Sequence, residues 1–279
     1  MSLFRLKSAT QVVTDRTLYS VAGGGIAPRP RGATAPFANG AIEILITRLD
    51  LSPEAVSASA ALLSGTERQR ASRFTFDCDR RRFTVARGQL RRLLSTRLGT
   101  QPEAIEFVYG VHGKPSLAQR CAESDLHFNV SHSDDIAVYA FSVEHEVGVD
   151  IESIRVIRDA EDIAASFFSP NENDAYLALD PNERPVGFFN CWTRKEAFIK
   201  ALGDGLCHPL DSFDVSLTPG EPAKILRVEG TSGEDCGWTL HSFLPGSGLI
   251  GAVVFRKFSR ESTSKVDPQQ IIVRSLPRL

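Results

Sequence analysis

The chain has 279 residues, of which 42% are hydrophobic and 24% are charged, and its formal net charge at pH 7 is −2. This size and composition indicate a globular protein of one large or two ordinary domains, and the near-neutral charge gives no reason to expect binding to nucleic acid or to a membrane. The five cysteines are scattered and form no C-x-x-C motif, which argues against structural zinc and favours reduced thiols. No apolar run is long enough for a signal peptide or a transmembrane helix, so we predict a cytoplasmic protein.

The first half of the chain predicts a flexible leader followed by strands and one long helix. Residues 1–40 are rich in glycine and proline without periodicity, which is typical of a flexible N-terminal leader. Ser52 followed by Pro53 predicts the start of a helix that continues to Leu63. An apolar stripe that includes Leu90 and Leu94 predicts a long, arginine-rich helix from Asp77 to Leu98. Strands are predicted at residues 41–47, 105–109, 126–132 and 136–142.

The second half repeats this order of elements. Helices are predicted at residues 160–166, 171–179 and 186–202, and strands around residues 147–152, 213–217, 223–228, 237–243 and 249–255. Helices and strands occur in both halves without βαβ alternation, which predicts an α+β fold. The predicted boundaries are an N-terminal α+β half at 41–143, a C-terminal α+β half at 144–258, and a polar tail at 259–279 in which residues 271–273 could dock.

A charged group interrupts the apolar face of the helix predicted at 186–202. At 100° per residue, Lys195 lies inside the apolar arc that contains Trp192, whereas Glu196 and Lys200 lie four residues apart along one flank of that arc. A lysine or glutamate directed into or beside a core needs an opposite charge to offset its desolvation. The bland alternative is a set of solvated surface pairs, which is common on helices.

A second short motif, upstream of that helix, offers suitable partners. Asp150 and Glu152 stand two apart in an apolar run, so both side chains point to one face of a strand. Together with Glu196 they could form a site for a hard cation such as Mg²⁺, which binds carboxylates and holds pyrophosphate. Alternatively, an Asp-x-Glu sequence can simply end a strand.

Both motifs resemble the signatures of the 4′-phosphopantetheinyl transferases of the Sfp type. The segments concerned are Gly148-Val-Asp-Ile-Glu152 and Trp192-Thr-Arg-Lys-Glu-Ala-Phe-Ile-Lys200, and Gly113-Lys-Pro115, Phe128-Asn-Val-Ser-His-Ser133 and Phe167-Phe-Ser169 with Glu172 agree in order and spacing. The resemblance covers about residues 74–213. It implies a monomer of two similar α+β halves related by a pseudo-two-fold axis, with the active site in the cleft between them.

The resemblance also implies an activity and a metal site. Family members transfer the 4′-phosphopantetheine arm of coenzyme A to a serine of an acyl or peptidyl carrier protein, with Mg²⁺ or Mn²⁺, and release 3′,5′-ADP. By the family pattern, Asp150, Glu152 and Glu196 are the expected metal ligands. Glu196, directly or through a metal-bound water, is the expected base. Lys195 and Lys200 are expected to neutralise charge on the pyrophosphate and on the leaving nucleotide.

Four further residues fall at positions where the family contacts coenzyme A: Arg82, Lys114, Ser131 and His132. Arg82 and His132 are expected at the 3′-phosphate. Arg82 follows Arg80 and Arg81, so the spacing leaves open which of the three makes the contact, and His132 could equally be a hydrogen-bonding residue at a strand end. We expect Trp192 to belong to the core beneath the site.

Two alternatives to this function remain. A non-catalytic module that binds coenzyme A or a carrier protein on the same scaffold would be marked by loss of the carboxylates and lysines, all of which are present. Another Mg²⁺-dependent phosphotransferase would carry a Walker-type loop, and the glycine tract at residues 23–25 lacks its Lys-Ser/Thr ending. The sequence does not indicate which carrier protein is served, and we expect that protein to bind near residues 153–190.

Overall fold

In this computed structural model, the described residues are 41–118, 125–143, 145–203, 205, 208–228, 231–232, 236–257 and 271–277. The elements of the first half are β1 (Ile42–Arg48), α1 (Pro53–Ala61), α2 (Gly65–Ala71), α3 (Asp77–Leu98), β2 (Phe107–Tyr109), β3 (Pro115–Leu117), β4 (Leu126–Ser133) and β5 (Ile136–Val143). The later elements are β6 (His145–Ser153), α4 (Ala160–Phe167), α5 (Pro170–Leu177), α6 (Arg184–Leu202), β7 (Phe213–Val215), β8 (Ile225–Val228), β9 (Thr231–Ser232), β10 (Trp238–Phe243), β11 (Leu249–Lys257) and β12 (Ile271–Ser275). The predicted leader at 1–40 lies outside the described residues.

Short-range signals set several of the helix ends. Ser52 caps α1 by accepting a hydrogen bond from the amide of Ala55 at 3.3 Å, and Pro53 occupies the first turn. The two long helices, α3 and α6, end at Gly99 and Gly203, whose φ angles of 63° and 86° lie in the left-handed region that glycine adopts at little cost. None of the described helices has the length and apolarity required to span a bilayer.

The two halves share one strand arrangement. The first sheet has the order β12-β1-β5-β4 and the second has the order β10-β11-β6. In the first half β5 pairs antiparallel with both β1 and β4, which gives the order β1-β5-β4. In the second half β11 pairs antiparallel with both β6 and β10, which gives the corresponding order β6-β11-β10. Between those strands the described part of each half carries three α-helices, of which the third is the longest. The α+β class predicted from the sequence is confirmed, and the predicted division at 143/144 falls between β5 and β6.

Alternating side chains on β6 separate the core from the site. Val147, Val149 and Ile151 join apolar residues of β1, β5 and β11 in one buried cluster. The opposite face of the first sheet, including Tyr139, packs on α3, whereas α6 packs on β6 and β11. Because successive strand residues point to opposite faces, the even-numbered residues 148, 150 and 152 lie on the other face of β6, against α6.

Gly148 permits the close approach of β6 to α6. A Cβ atom at this position would lie 2.1 Å from the carbonyl oxygen of Ala197 and 2.3 Å from the amide nitrogen of Ala201. We therefore expect Gly148→Ala to lower the free energy of unfolding by about 3 kcal/mol, since strand or helix must move. Urea denaturation measures this, with Gly65→Ala as the control because a Cβ there meets nothing within 4 Å. Equal stability of the two variants would contradict the tight packing.

Part of the predicted tail is a strand. Residues 271–275 form β12, which pairs in parallel with β1 and places Ile271 opposite Ile42. The amide of Leu276 extends the pairing by donating to the carbonyl of Ile46 at 2.8 Å. The docking that the sequence left open for residues 271–273 is therefore observed, and this segment completes the first sheet.

Candidate active site

Three buried carboxylates lie where β6 meets α6. Asp150 is 2% exposed, and Glu152 and Glu196 are each 6% exposed. The Oδ2 atom of Asp150 and the Oε1 atom of Glu196 are buried and have no hydrogen-bond partner among the described residues. Buried carboxylate oxygens are costly to leave unsatisfied, and a bound cation is one partner that would satisfy these two atoms, which have none among the described side chains.

The donor set fits a hard divalent cation. Carboxylate oxygens are the ligands that Mg²⁺ prefers, and Asp150, Glu152 and Glu196 supply them from two adjoining elements. No group of three His, Cys, Asp or Glu side chains in the described part of the chain is already gathered closely enough to hold a metal. The fit therefore rests on the two unpaired oxygens and on the donor chemistry, rather than on a preformed coordination shell.

The carboxyl of Glu196 titrates near neutrality. Burial raises its pKa from the usual 4.5 to about 7, with the negative charges of Asp150 and Glu152 adding to the rise and the Lys200 ammonium opposing it. A group with a pKa near 7 can accept and release a proton at physiological pH, which suits acid–base catalysis.

Lys200 brings a positive charge to the same place. Its Nζ atom hydrogen-bonds to Oδ1 of Asp150 and to Oγ of Ser131, the latter at 3.3 Å, and about a quarter of its side chain is exposed. Burial lowers the pKa of this ammonium, but the carboxylates of Asp150 and Glu196 raise it more, so the net shift is upward. Lys200 is therefore a permanent cation beside the carboxylates.

Comparison with known proteins decides the family. Residues 146–252, which contain all three carboxylates, match the model of the 4′-phosphopantetheinyl transferase superfamily, and residues 50–161 match the model of the N-terminal part of 4′-phosphopantetheinyl transferases. The chain is 40% identical over 199 residues to 4′-phosphopantetheinyl transferase HetI of Nostoc sp., an alignment that covers 71% of this chain and 81% of that protein. The chain belongs to the 4′-phosphopantetheinyl transferase superfamily.

A second relative agrees, since 4′-phosphopantetheinyl transferase Sfp of Bacillus subtilis is 34% identical over 167 residues, covering 60% of this chain and 72% of that protein. The family resemblance inferred from the sequence motifs is thereby confirmed, and the protein is an enzyme of the transferase class.

The structure does not bring Lys195 of this transferase to the carboxylates. Its side chain is 1% exposed, and its Nζ atom forms an ion pair with Oε2 of Glu172 at 2.7 Å. The same atom donates to the carbonyls of Leu210 at 2.5 Å and Phe213 at 2.7 Å. These contacts use all three ammonium donors, so Lys195 has none left for a pyrophosphate. The position of Lys195 thus does not match the catalytic role expected from the family pattern. Lys195 and Glu196 point in different directions because adjacent side chains on a helix project about 100° apart.

Two of the residues expected to contact coenzyme A bond to other parts of the protein. Lys114 donates from Nζ to the carbonyls of Ala201 at 3.1 Å and Val147 at 3.4 Å, so it ties the loop between β2 and β3 to the end of α6. Burial lowers the pKa of this lysine. Ser131 is buried, and its hydroxyl donates to Oδ1 of Asp150 at 2.8 Å.

The other two lie closer to solvent. His132 is exposed on β4, and Arg82 forms a two-point pair with Asp50 at 2.9 and 2.8 Å. The Asp50 pair raises the pKa of Arg82, and the charge of Asp135, in the turn after β4, contributes further. Arg80 and Arg81 have partners of their own, in Asp77 and in the carbonyl of Leu51. These contacts do not select one arginine for a phosphate.

Sequence reasoning missed two residues that contact Glu152. The hydroxyl of Ser133 donates to Oε2 of Glu152 at 3.3 Å, and the guanidinium of Arg155 lies 3.5 Å from the same oxygen. The available signals were the two-residue spacing of Ser131 and Ser133 and the position of Arg155 three residues after Glu152. Trp192 is 1% exposed and stacks on Phe188, so its predicted place in the core is confirmed.

Proposed function

We propose that this transferase moves the 4′-phosphopantetheine arm of coenzyme A to a serine hydroxyl of an acyl or peptidyl carrier protein, with Mg²⁺ as cofactor and 3′,5′-ADP as the second product. The observation that carries the proposal is the pair of buried, unpaired oxygens on Asp150 and Glu196 beside the cation Lys200. The names of HetI and Sfp as 4′-phosphopantetheinyl transferases support it. We also propose that the enzyme acts in the cytoplasm as a monomer.

In the proposed reaction a new phosphoester forms and a pyrophosphate bond breaks. The serine oxygen of the carrier protein bonds to the phosphorus that bears the pantetheine arm, and the bond from that phosphorus to the oxygen of 3′,5′-ADP is cleaved. Asp150, Glu152 and Glu196 would hold Mg²⁺, which when bound supplies positive charge against the pyrophosphate.

Glu196 is the proposed acceptor of the serine proton. Its pKa of about 7 allows a large ionised fraction at neutral pH while keeping it basic enough to take up a proton. A cation held by the same carboxylate would lower that pKa, and a water molecule that acts as the base in place of Glu196 is then the alternative route.

Lys200 is the proposed stabiliser of the leaving group. Its ammonium is held in place by Asp150 and Ser131 and is partly open to solvent. A preorganised positive charge of this kind favours the negative charge that develops on 3′,5′-ADP as the bond breaks.

A cavity lies within residues 153–190, the segment that we propose binds the carrier protein. It has a volume of about 310 Å³ and combines apolar surface, including Val156 and Phe188, with three arginines and three acidic residues: Arg155, Arg158, Arg184, Asp159, Glu161 and Asp162. Within this lining Arg184 pairs with Glu161 at 2.6 Å, so the cavity offers a carrier protein apolar surface together with charges of both signs. Arg155 also contacts Glu152, so the cavity adjoins the carboxylates.

The test is the intact mass of apo carrier proteins incubated with the enzyme and coenzyme A. We expect a gain of one phosphopantetheinyl group in the presence of Mg²⁺ and no gain with EDTA. Asp150→Ala and Glu152→Ala should each abolish the gain, whereas Glu103→Ala, which removes an exposed carboxylate outside residues 153–190, should not. Absence of any gain with several carriers, despite measurable binding of coenzyme A, would favour a non-catalytic binding protein instead.

A further inference from the structure

Side chains, rather than a backbone ladder, connect β4 to β6. Three side-chain oxygens of β4 accept hydrogen bonds from backbone amides of β6: Asn129 Oδ1 from Val149 at 2.9 Å, Ser131 Oγ from Ile151 at 3.4 Å and Ser133 Oγ from Ser153 at 3.2 Å. The partners are twenty positions apart in each case, so the two strands run in the same direction. In the described chain β4 and β6 belong to different sheets, and these three hydrogen bonds connect the two halves of the molecule.

Two of these three β4 side chains also donate a hydrogen bond to a carboxylate. Ser131 donates to Oδ1 of Asp150 at 2.8 Å, and Ser133 donates to Oε2 of Glu152 at 3.3 Å. A hydroxyl carries one donor and two acceptor sites, so each serine can accept from an amide and donate to a carboxylate at the same time. Asn129 has no carboxylate partner of this kind because the residue that precedes Val149 is Gly148, which has no side chain.

The serine bonds decide which carboxylate oxygen remains for a ligand. Ser131 and Lys200 both bond Oδ1 of Asp150, and Oδ2 of that residue is the buried atom without a partner among the described residues. A hydrogen bond to one oxygen of a metal-binding carboxylate fixes the direction of the other oxygen, as outer-shell partners of metal ligands do.

We propose that Ser131 and Ser133 are positioning residues that orient Asp150 and Glu152 toward the cation, an inference that rests on the proposed function. The hydroxyl of Ser131 is fully used by Asp150, Ile151 and Lys200, so it acts through the carboxylate instead of through a direct contact with coenzyme A. β4 thus orients both proposed metal ligands of β6, Asp150 and Glu152.

Ser133→Ala tests the proposal. Mn²⁺ is titrated into the full chain with coenzyme A present and no carrier protein, and unbound Mn²⁺ is measured by electron paramagnetic resonance after subtraction of a coenzyme A blank. We expect the dissociation constant for Mn²⁺ to rise about tenfold, the usual effect of removing a partner of a metal ligand. Ser133→Thr keeps the hydroxyl and should bind Mn²⁺ as the wild type does.

Asn129→Ala is the matched control. It removes a hydrogen bond between β4 and β6 at a position without a carboxylate. We therefore expect a lower thermal midpoint and an unchanged Mn²⁺ dissociation constant. The thermal midpoint is recorded for every variant. If Ser133→Ala does not fold, Ser133→Cys replaces it in the same titration, since a thiol keeps the volume but is a weak donor.

Two results would overturn the positioning role. One is wild-type Mn²⁺ affinity in the Ser133 variant. The other is a loss of affinity in Asn129→Ala as large as that in Ser133→Ala, because a weakened contact between β4 and β6 would then explain the loss of Mn²⁺ affinity in both variants. Wild-type enzyme that binds no Mn²⁺ above the blank would instead contradict the metal site of the proposed function.

Discussion

Glu196→Gln is expected to abolish transfer and, at the same time, to stabilise the metal-free protein at alkaline pH. Loss of the proposed proton acceptor and metal ligand should lower the transfer rate by at least about 100-fold. The gain in stability follows from the raised pKa of this carboxyl: a shift from 4.5 to about 7 corresponds to about 3 kcal/mol in favour of the neutral form.

The sign of the pH dependence is fixed by that shift. Between pH 4.5 and 7 the folded protein holds a proton on Glu196 that the unfolded chain has lost, so the cost of ionising Glu196 in the fold grows through this range and is complete above pH 7. Glutamine is never ionised. The stabilisation by Glu196→Gln should therefore be largest at pH 8 and small at pH 5.

Urea denaturation in EDTA at both pH values measures this difference. The control is Glu103→Gln, which neutralises an exposed glutamate and should change stability little at either pH. A stabilisation that is the same at pH 5 and pH 8 would show that Glu196 does not have the raised pKa.

Lys195→Met is expected to lower the free energy of unfolding by about 3 to 5 kcal/mol, the usual cost of removing one partner of a buried ion pair. Glu172 is 2% exposed, and besides Lys195 it accepts hydrogen bonds from the amides of Ser169 at 2.8 Å and Val215 at 2.7 Å. Without Lys195 its charge would be left in the interior, where burial already raises its pKa.

Two further variants separate a structural from a catalytic role for Lys195. The double variant Lys195→Met with Glu172→Gln should recover part of the lost stability, because no buried charge then remains. Lys224→Met, at an exposed lysine, is the control for loss of positive charge. We expect the folded fraction of Lys195→Met to keep its kcat, measured below its unfolding temperature. A kcat reduced by 100-fold or more in fully folded protein would restore the catalytic role that the sequence motif suggested.

The parts of the site that sequence could predict are those governed by the period of a single element. Asp150 and Glu152 share a face because strand side chains alternate, and both long helices start and end close to their predicted positions because apolar spacing and a terminal glycine mark them.

The parts that sequence could not predict depend on contacts between elements. Lys195 faces Glu172 only because α5 packs beside α6, and a helical wheel gives no information about the neighbouring helix. Ser133 reaches Glu152 because β4 lies next to β6 without pairing to it through the backbone, an arrangement that no strand pattern reveals. Likewise, only its parallel partner β1 makes a strand of residues 271–275.

That parallel pair has a consequence for how the chain reaches its fold. β1 occupies an inner position between β5 and β12, and Glu43 contacts Arg274, 231 positions away. During synthesis β1 therefore has one open edge until almost all of the described chain has been made. Open strand edges can pair with other chains, and distant pairings form slowly. Among the described sheets, the N-terminal sheet is thus the last to be completed, although β1 is the first described strand to be made.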